Sequence, residues 1–249
     1  MHHYRDLGLF SAGFPPELGG MGLPMVLCHV SFAQFSAANP ATAAYILLTL
    51  ANARLLATFG TEQQIREFAL PQIEGRWFGT MCLSEPQAGS GLGDIVTSAV
   101  RDGEGALGDR YRVTGNKRWI SGGDQDVSEN IVHLVLAKVP GPDGQLPEGT
   151  AGISLFIVPK VLPDGSRNDV TVAGLNHKMG YRGTSNCALN FGEQGGATGW
   201  LVGSEGEGLR QMFRMMNDAR IAVGLGAAAL VDKRKITCDN GLRMFGLKK

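Results

Sequence analysis

Two short polar segments, Met81–Ser90 and Lys117–Gly123, carry the side chains best suited to bind a ligand. In the first segment, Ser84 and Ser90 offer hydroxyl groups, and a Glu-Pro pair favours an extended turn because a residue before proline avoids the helical region. Gly89 allows the backbone to approach a ligand closely. Such a loop suits the polar edge of a flat heterocycle or a phosphate group. Taken alone, it is more readily explained as a structural turn.

The second segment ends a predicted strand with Trp119 and Ser121. A tryptophan at this place usually belongs to a hydrophobic core. Alternatively, its flat face can cover a ring system while the serine hydroxyl donates to a ring heteroatom. The two segments together therefore predict a surface for a flat heterocyclic ligand.

No side chain with an evident acid–base role accompanies these segments. Glu205 and Glu207 lie in a glycine-rich loop, where we expect solvated carboxylates. The five histidines have no second donor at metal-ligand spacing, so no metal is predicted. The sequence alone therefore assigns no catalytic residue.

Charge and cysteine usage exclude several classes of function. The 23 basic and 23 acidic residues give a formal net charge of zero, so no basic field favours nucleic acid. The four cysteines form no CxxC pair and are expected to be free thiols. The apolar stretch Ala41–Leu56 is interrupted by polar residues, and no signal peptide is recognisable. We therefore expect a cytoplasmic protein without a membrane span.

The first third of the chain has helical patterns. Apolar residues recur at helical spacing over Pro24–Phe35 and again over Ala41–Phe59. Thr61 and Gln64 form a capping-box pattern that opens a third helix, and Pro71 is expected to close it. A helical N-terminal region follows from this pattern.

A strand-rich region follows. Gly115-Asn116 is predicted to be the turn of a hairpin between Arg110–Thr114 and Lys117–Ser121. Five further strands are predicted: Asn130–Lys138, Gly152–Val158, Val170–Ala173, Ser185–Phe191 and Trp200–Val202. Short strands joined by turns are typical of an antiparallel barrel or sandwich.

Helical spacing returns after Gly208. The predicted apolar face consists of Leu209, Met212, Phe213, Met216, Ile221 and Val223. Such a helix needs neighbours to cover it, so we expect a truncated chain or one completed by a partner. The sequence thus predicts an α+β protein with a helical domain over 1–75, an antiparallel barrel or sandwich over 76–203, and the start of a C-terminal helical bundle over 204–249.

The motifs, in their order, resemble the acyl-CoA dehydrogenase family. The segments that carry the resemblance are Phe59–Gln64 with Leu70-Pro71, Ser84–Ser90, Trp119–Ser121, Lys178–Gly180 and Asn217–Arg220. Asp164–Asn168 and Ser128–His133 are most similar to the branch that contains 3-methylthiopropionyl-CoA dehydrogenase.

The resemblance implies noncovalently bound FAD and an acyl-CoA substrate. The implied FAD contacts are Met81, Cys82, Leu83, Ser84, Gly89, Ser90, Trp119, Ile120 and Ser121. Of these, Ser84 and Ser121 would hydrogen-bond the isoalloxazine ring, while Ser90 and Arg220 would contact the acyl-CoA.

The implied reaction is α,β-dehydrogenation, in which a glutamate takes the α-proton and the β-hydride moves to the flavin. An electron-transfer flavoprotein is the implied acceptor, and a complete bundle implies a homo-oligomer. The position before Arg220, where part of the family has the glutamate, is Ala219, and Gly91–Gly93 separates Ser90 from Asp94. We therefore expect a fragment without its catalytic glutamate and with little or no activity alone.

Three alternatives stay open at this point. A noncatalytic flavin-binding or assembly subunit is favoured by Ala219. An acyl-CoA oxidase would share the same motifs and differ in its reactivity with oxygen. A DNA-associated flavoprotein of the same superfamily is disfavoured by the zero net charge.

Overall fold

A computed structural model describes residues 2–234 of the chain. The α-helices are α1 (His2–Asp6), α2 (Met25–Ala38), α3 (Pro40–Phe59), α4 (Glu62–Gln64), α5 (Leu70–Ile73) and α6 (Gly208–Arg234). The strands are β1 (Trp77–Cys82), β2 (Ser98–Gly105), β3 (Gly108–Ser121), β4 (Asn130–Lys138), β5 (Ile153–Pro159), β6 (Val170–Leu175), β7 (Asn186–Phe191) and β8 (Ala197–Leu201). The α+β class predicted from the sequence is confirmed.

Helix α3 is the central helix of the N-terminal region. Asn39 caps it, with its Oδ1 accepting from the Thr42 amide at 3.1 Å, and Pro40 occupies the first turn. The helix is long and apolar enough to cross a membrane by length and composition, but half of its apolar window is buried within the fold. Leu55 and Leu56 have no exposed surface, so α3 is accounted for as a core helix.

The third predicted helix begins as expected and ends later. Thr61 and Gln64 form the predicted capping box. The prediction that Pro71 closes the helix is wrong, because a π-helical turn over Ile65–Ala69 leads directly into α5. Proline lacks an N–H to donate, and the wider π turn accommodates its ring without breaking the helical path.

The strands form one sheet of mixed direction, in the order β1-β4-β5-β8-β3-β7-β6, with β2 pairing to β3 and β4. β1 runs parallel to β4, and Ser98 of β2 forms a parallel bridge with Lys138 of β4. The prediction of a wholly antiparallel domain is therefore wrong. The chain between β1 and β4 contains the whole β2–β3 hairpin, and this long crossover lets β4 return parallel to β1.

The predicted hairpin at Gly115-Asn116 is also wrong. Strand β3 runs straight through these residues, and the turn lies earlier, between Gly105 and Gly108. A Cβ added at Gly115 would lie 2.3 Å from Thr97 Oγ1. The glycine is thus required for close packing against Thr97 rather than for a turn.

Helix α6 packs against α2, α3 and β5. Met212 and Met215 are buried there. Three residues of the predicted apolar face are instead about half exposed: Phe213, Ile221 and Val223. Apolar residues occupy more than one side of α6, and the described residues cover only the side that faces α2 and α3.

The cysteines of the described region are free thiols, as predicted. Cys82 and Cys187 are buried, whereas Cys28 is half-buried. Cys238 and the rest of the predicted C-terminal region beyond residue 234 lie outside the described residues.

Candidate ligand-binding site

The two polar segments identified in the sequence lie side by side. The Arg118 amide donates to the Ser84 carbonyl oxygen at 2.9 Å, joining strand β3 to the loop after β1. The Lys117 ammonium donates to the Leu83 carbonyl oxygen at 3.0 Å and to Glu85 Oε1 at 2.8 Å. The two segments, which the sequence predicts to form one surface, are therefore in direct contact in the structure.

Glu85 is the centre of a buried hydrogen-bond cluster. Besides Lys117, its carboxylate accepts from Thr97 Oγ1 at 2.6 Å and from the Thr97 and Val96 amides at 3.2 and 2.8 Å. Gln87 Nε2 adds a bond at 2.8 Å. Burial raises the pKa of Glu85, but the Lys117 charge and these hydrogen bonds outweigh burial and hold that pKa below its usual value. Glu85 therefore fixes the loop in place and is not poised to exchange protons.

Trp119 is held in an unusual backbone conformation. Its φ is +62°, its side chain is 64% exposed, and the pairing of β3 with β7 shifts between Lys117 and Ile120. A non-glycine residue in the left-handed region costs about 1–3 kcal/mol and is typical of functional sites. The interpretation of this tryptophan as a core residue is wrong, because its face is open to a ligand.

A cavity of about 340 Å³ lies between α2, α3, α6 and the end of β3. Ser121 and Ala219, which are far apart in the sequence, both line it, as do Ala43 and Leu47. Tyr181 also lines the cavity and is, with Trp119, one of two non-glycine residues with positive φ in the described region. None of the described lining residues is charged.

The remaining predicted flavin contacts differ in how they face the site. The side chains of Cys82 and Ile120 are buried in the core beneath the sheet, and burial raises the pKa of the Cys82 thiol to about 12. Met81 and Leu83 are half-buried against the opposite core, next to the helices. Cys82 and Ile120 can therefore reach a ligand only through their backbone atoms.

The loop residues and the arginine are more open. Ser84 is half-buried, Gly89 and Ser90 are exposed, and a Cβ added at Gly89 would meet nothing within 4 Å. Arg220 is exposed, donates to Asn217 Oδ1 at 3.2 Å and is not among the residues that line the cavity. The structure thus joins Ser121 to the cavity but leaves Arg220 outside its lining.

The two carboxylates considered in the sequence lie away from the cavity. Glu205 Oε1 accepts from the Tyr111 hydroxyl at 2.6 Å, and Glu207 pairs with Arg210 at 3.0 Å. Neither glutamate is among the cavity residues.

Sequence reasoning missed Tyr181 and the buried pairing of Lys117 with Glu85. Tyr181 follows the Lys178–Gly180 motif, but a positive φ at a tyrosine leaves no mark in the sequence. The ion pair had one signal in the sequence, since Lys117 falls in the same two-residue alternation as Tyr111 and Val113, which point into the core.

Two family models match the chain: "Acyl-CoA dehydrogenase, N-terminal domain" over residues 1–76 and "Acyl-CoA dehydrogenase, middle domain" over residues 80–193. The chain therefore belongs to the acyl-CoA dehydrogenase family, and the resemblance found in the sequence is confirmed. The domain boundaries proposed from the sequence stay predictions.

Individual relatives agree with this assignment. The chain is 40% identical over 235 residues to 3-methylmercaptopropionyl-CoA dehydrogenase of Ruegeria pomeroyi, covering 92% of this chain and 38% of that protein. It is 40% identical over 232 residues to the broad-specificity linear acyl-CoA dehydrogenase FadE5 of Mycobacterium tuberculosis, covering 90% and 36%. The chain thus spans somewhat more than a third of the length of these two relatives.

Solved structures show the same fold. An acyl-CoA dehydrogenase complexed with FAD from Bacillus anthracis matches with a TM-score of 0.74 and 26% identity, over 91% of this chain and 36% of that one. Butyryl-CoA dehydrogenase from Megasphaera elsdenii matches with a TM-score of 0.75 and 22% identity, over 91% and 56%.

Proposed function

We propose that this chain supplies the FAD-binding and acyl-binding surface of an acyl-CoA dehydrogenase that carries out α,β-dehydrogenation of an acyl-CoA thioester. One observation supports the proposal above others. Ser121 lines an uncharged cavity, and Trp119, two residues away, presents an open face in a strained backbone conformation. A polar anchor beside an apolar cavity is what a flavin and an alkyl chain together require.

The residues present fit a flavin. Ser84 and Ser121 offer hydroxyl donors to ring heteroatoms, and the exposed Trp119 plane can cover one face of the ring. β1 is a terminal strand of the sheet, so the backbone groups of Met81 have no partner strand on one side. FAD, when bound, supplies the acceptor for the hydride.

The cavity fits the acyl chain. Small and aliphatic side chains such as Ala43, Leu47 and Ala219 line it. Burying the alkyl surface of a ligand in such a cavity makes the free energy of binding more favourable. Ser90 and Arg220 are proposed to contact the acyl-CoA on the strength of the family resemblance. We further propose an electron-transfer flavoprotein as the acceptor and FAD contacts at the nine residues named from the sequence.

The proton acceptor is proposed to come from outside the described residues. Ala219 has no titratable group, and no carboxylate is among the described residues that line the cavity. The loss of a general base lowers a rate by about 10²–10⁴-fold, so we expect the chain alone to bind substrate with little or no turnover. The same observation favours a second candidate, a noncatalytic flavin-binding subunit.

The experiment is an anaerobic titration of the FAD-loaded chain with acyl-CoA thioesters of increasing chain length. We expect the flavin absorption bands to shift without bleaching. Ala44→Trp, which fills the cavity, should abolish the shift while FAD stays bound. Ala106→Trp, in the exposed turn between β2 and β3, is the matched control and should leave the shift intact.

Each other outcome has a defined meaning. Absence of any shift with the unsubstituted, FAD-loaded chain would overturn the proposed acyl site. Bleaching by acyl-CoA would show that the chain dehydrogenates its substrate alone and would overturn the proposal of an external base.

A further inference from the structure

Ser121 ends a short chain of hydrogen bonds between side chains. Asn186 Nδ2 donates to Ser121 Oγ at 3.3 Å, and Asn176 Nδ2 donates to Asn186 Oδ1 at 2.8 Å. The backbone supports the same arrangement, because Ser121 pairs with Asn186 between β3 and β7, and the Asn176 amide donates to the Asn186 carbonyl oxygen at 2.8 Å.

These bonds fix which atoms face each other. Because Asn176 donates to Oδ1 of Asn186, the NH₂ group of Asn186 must point towards Ser121. The Ser121 oxygen therefore acts as an acceptor on that side. Its own hydrogen has no acceptor among the described residues, and the side chain lines the cavity beside Ala219. The hydroxyl hydrogen is left for a ligand.

The start of β7 is held in position from both sides. The Ser185 amide donates to the Tyr45 hydroxyl at 2.9 Å, and Ser185 Oγ donates to the Asp124 carbonyl oxygen at 2.7 Å. The Gly122 amide donates to the Ser185 carbonyl oxygen at 2.8 Å. Asn186, the next residue, is thus attached to a rigid support and cannot easily turn away from Ser121.

We propose that Asn186 is a positioning residue that commits the Ser121 hydroxyl to donate towards the flavin. This inference rests on the proposed function, since it needs a flavin with a heteroatom acceptor at that point. A fixed donor stabilises the extra electron density of the reduced ring, so it raises the midpoint potential of the bound flavin as well as its affinity.

The test is a double-mutant cycle on FAD affinity. Asn186→Ala and Ser121→Ala should each weaken FAD binding by about two- to tenfold, which corresponds to one lost hydrogen bond. If Asn186 acts through Ser121, the double variant should bind FAD no more weakly than Ser121→Ala alone. Both single variants should also lower the flavin midpoint potential, a readout that loss of stability does not produce.

Two further variants sharpen the test. Asn186→Asp has nearly the same shape, but its ionised carboxylate can only accept and would take the Ser121 hydrogen away from the ligand. We expect it to weaken FAD binding more than Asn186→Ala does. Asn190→Ala is the matched control, because Asn190 is a half-buried asparagine of the same strand that bonds Asn116 and Glu193 instead. It should leave both the affinity and the potential unchanged.

The outcomes separate this inference from the function on which it rests. Additive losses in the double variant, or an Asn186→Asp variant that binds FAD like the unsubstituted chain, would overturn the role of Asn186 alone. Failure of the unsubstituted, folded chain to bind FAD would overturn both. The isosteric Asn186→Asp variant keeps the test decisive if Asn186→Ala fails to fold.

Discussion

The ammonium of Lys117 lies 2.8 Å from a carboxylate oxygen of Glu85, and both side chains are closed off from solvent. The pair joins the strand that carries Trp119 and Ser121 to the loop that carries Ser84. The two halves of the candidate site are thus held together from beneath by one buried ion pair.

We expect substitution of one partner of this pair to be severe. Lys117→Met leaves the Glu85 carboxylate buried without its counter-charge, which destabilises a protein by about 3–5 kcal/mol. Lys117→Met with Glu85→Gln removes both charges and should be less destabilising. Urea unfolding measures these free energies. Arg101→Ala, which breaks an exposed pair with Asp109, is the control and should leave the free energy of unfolding nearly unchanged, because solvent screens exposed ion pairs. Equal losses of unfolding free energy for Lys117→Met and Arg101→Ala would contradict this role of the buried ion pair.

Gly115→Ala tests the same cluster through packing. The new methyl group would lie 2.3 Å from Thr97 Oγ1, the hydroxyl that donates to Glu85. Overpacking of this kind costs about 1–3 kcal/mol, so the thermal unfolding midpoint should fall. Gly174→Ala, in strand β6, meets nothing within 4 Å and should leave the midpoint nearly unchanged. A midpoint for Gly115→Ala equal to that of Gly174→Ala would show that the glycine is not needed for this contact.

Features fixed by local sequence were predictable. Strand β4 has the predicted bounds, Asn130–Lys138, because its run of β-branched and aliphatic residues is flanked by polar turns. The capping box at Thr61 depends on residues three apart and is predictable for the same reason.

Features set by distant partners were not predictable. The role of Gly115 depends on Thr97, and the pairing of Lys117 depends on a loop that precedes it by many residues. The conformation of Trp119 arises where the register of β3 and β7 shifts, which no local pattern encodes. Of the candidate site, the sequence therefore predicted the two segments but not the contacts that hold them together.

His133 should make stability depend on pH. Burial lowers the pKa of His133 from 6.5 to about 3, and its Nδ1 lies 2.7 Å from Thr80 Oγ1. The folded pKa is below the unfolded one, so the unfolded chain binds more protons between these two pH values. The contribution of the neutral His133 to the free energy of unfolding is therefore fully present above pH 6.5 and is lost as the pH falls towards about 3. His133→Gln should flatten this part of the profile, and His177→Gln, an exposed histidine, should not. Parallel profiles for His133→Gln and the unsubstituted chain would contradict the assignment.

Trp119→Gly should separate stability from ligand binding. Glycine accepts a φ of +62° without strain, and little buried surface is lost because the tryptophan is 64% exposed. The free energy of unfolding should therefore change by less than about 1 kcal/mol. FAD affinity should fall, since stacking of an aromatic side chain on a base contributes about 1–3 kcal/mol and a flavin offers a comparable face. A strongly destabilised variant that keeps full FAD affinity would show that Trp119 is structural.

Equilibrium dialysis of the purified, folded chain against FAD tests the proposed site most directly. We predict saturable, stoichiometric uptake of FAD that is weakened in Trp119→Gly and in Ser121→Ala. A chain that retains no FAD at any concentration, or one whose uptake is unaffected by both substitutions, would contradict a flavin site at Ser84, Trp119 and Ser121.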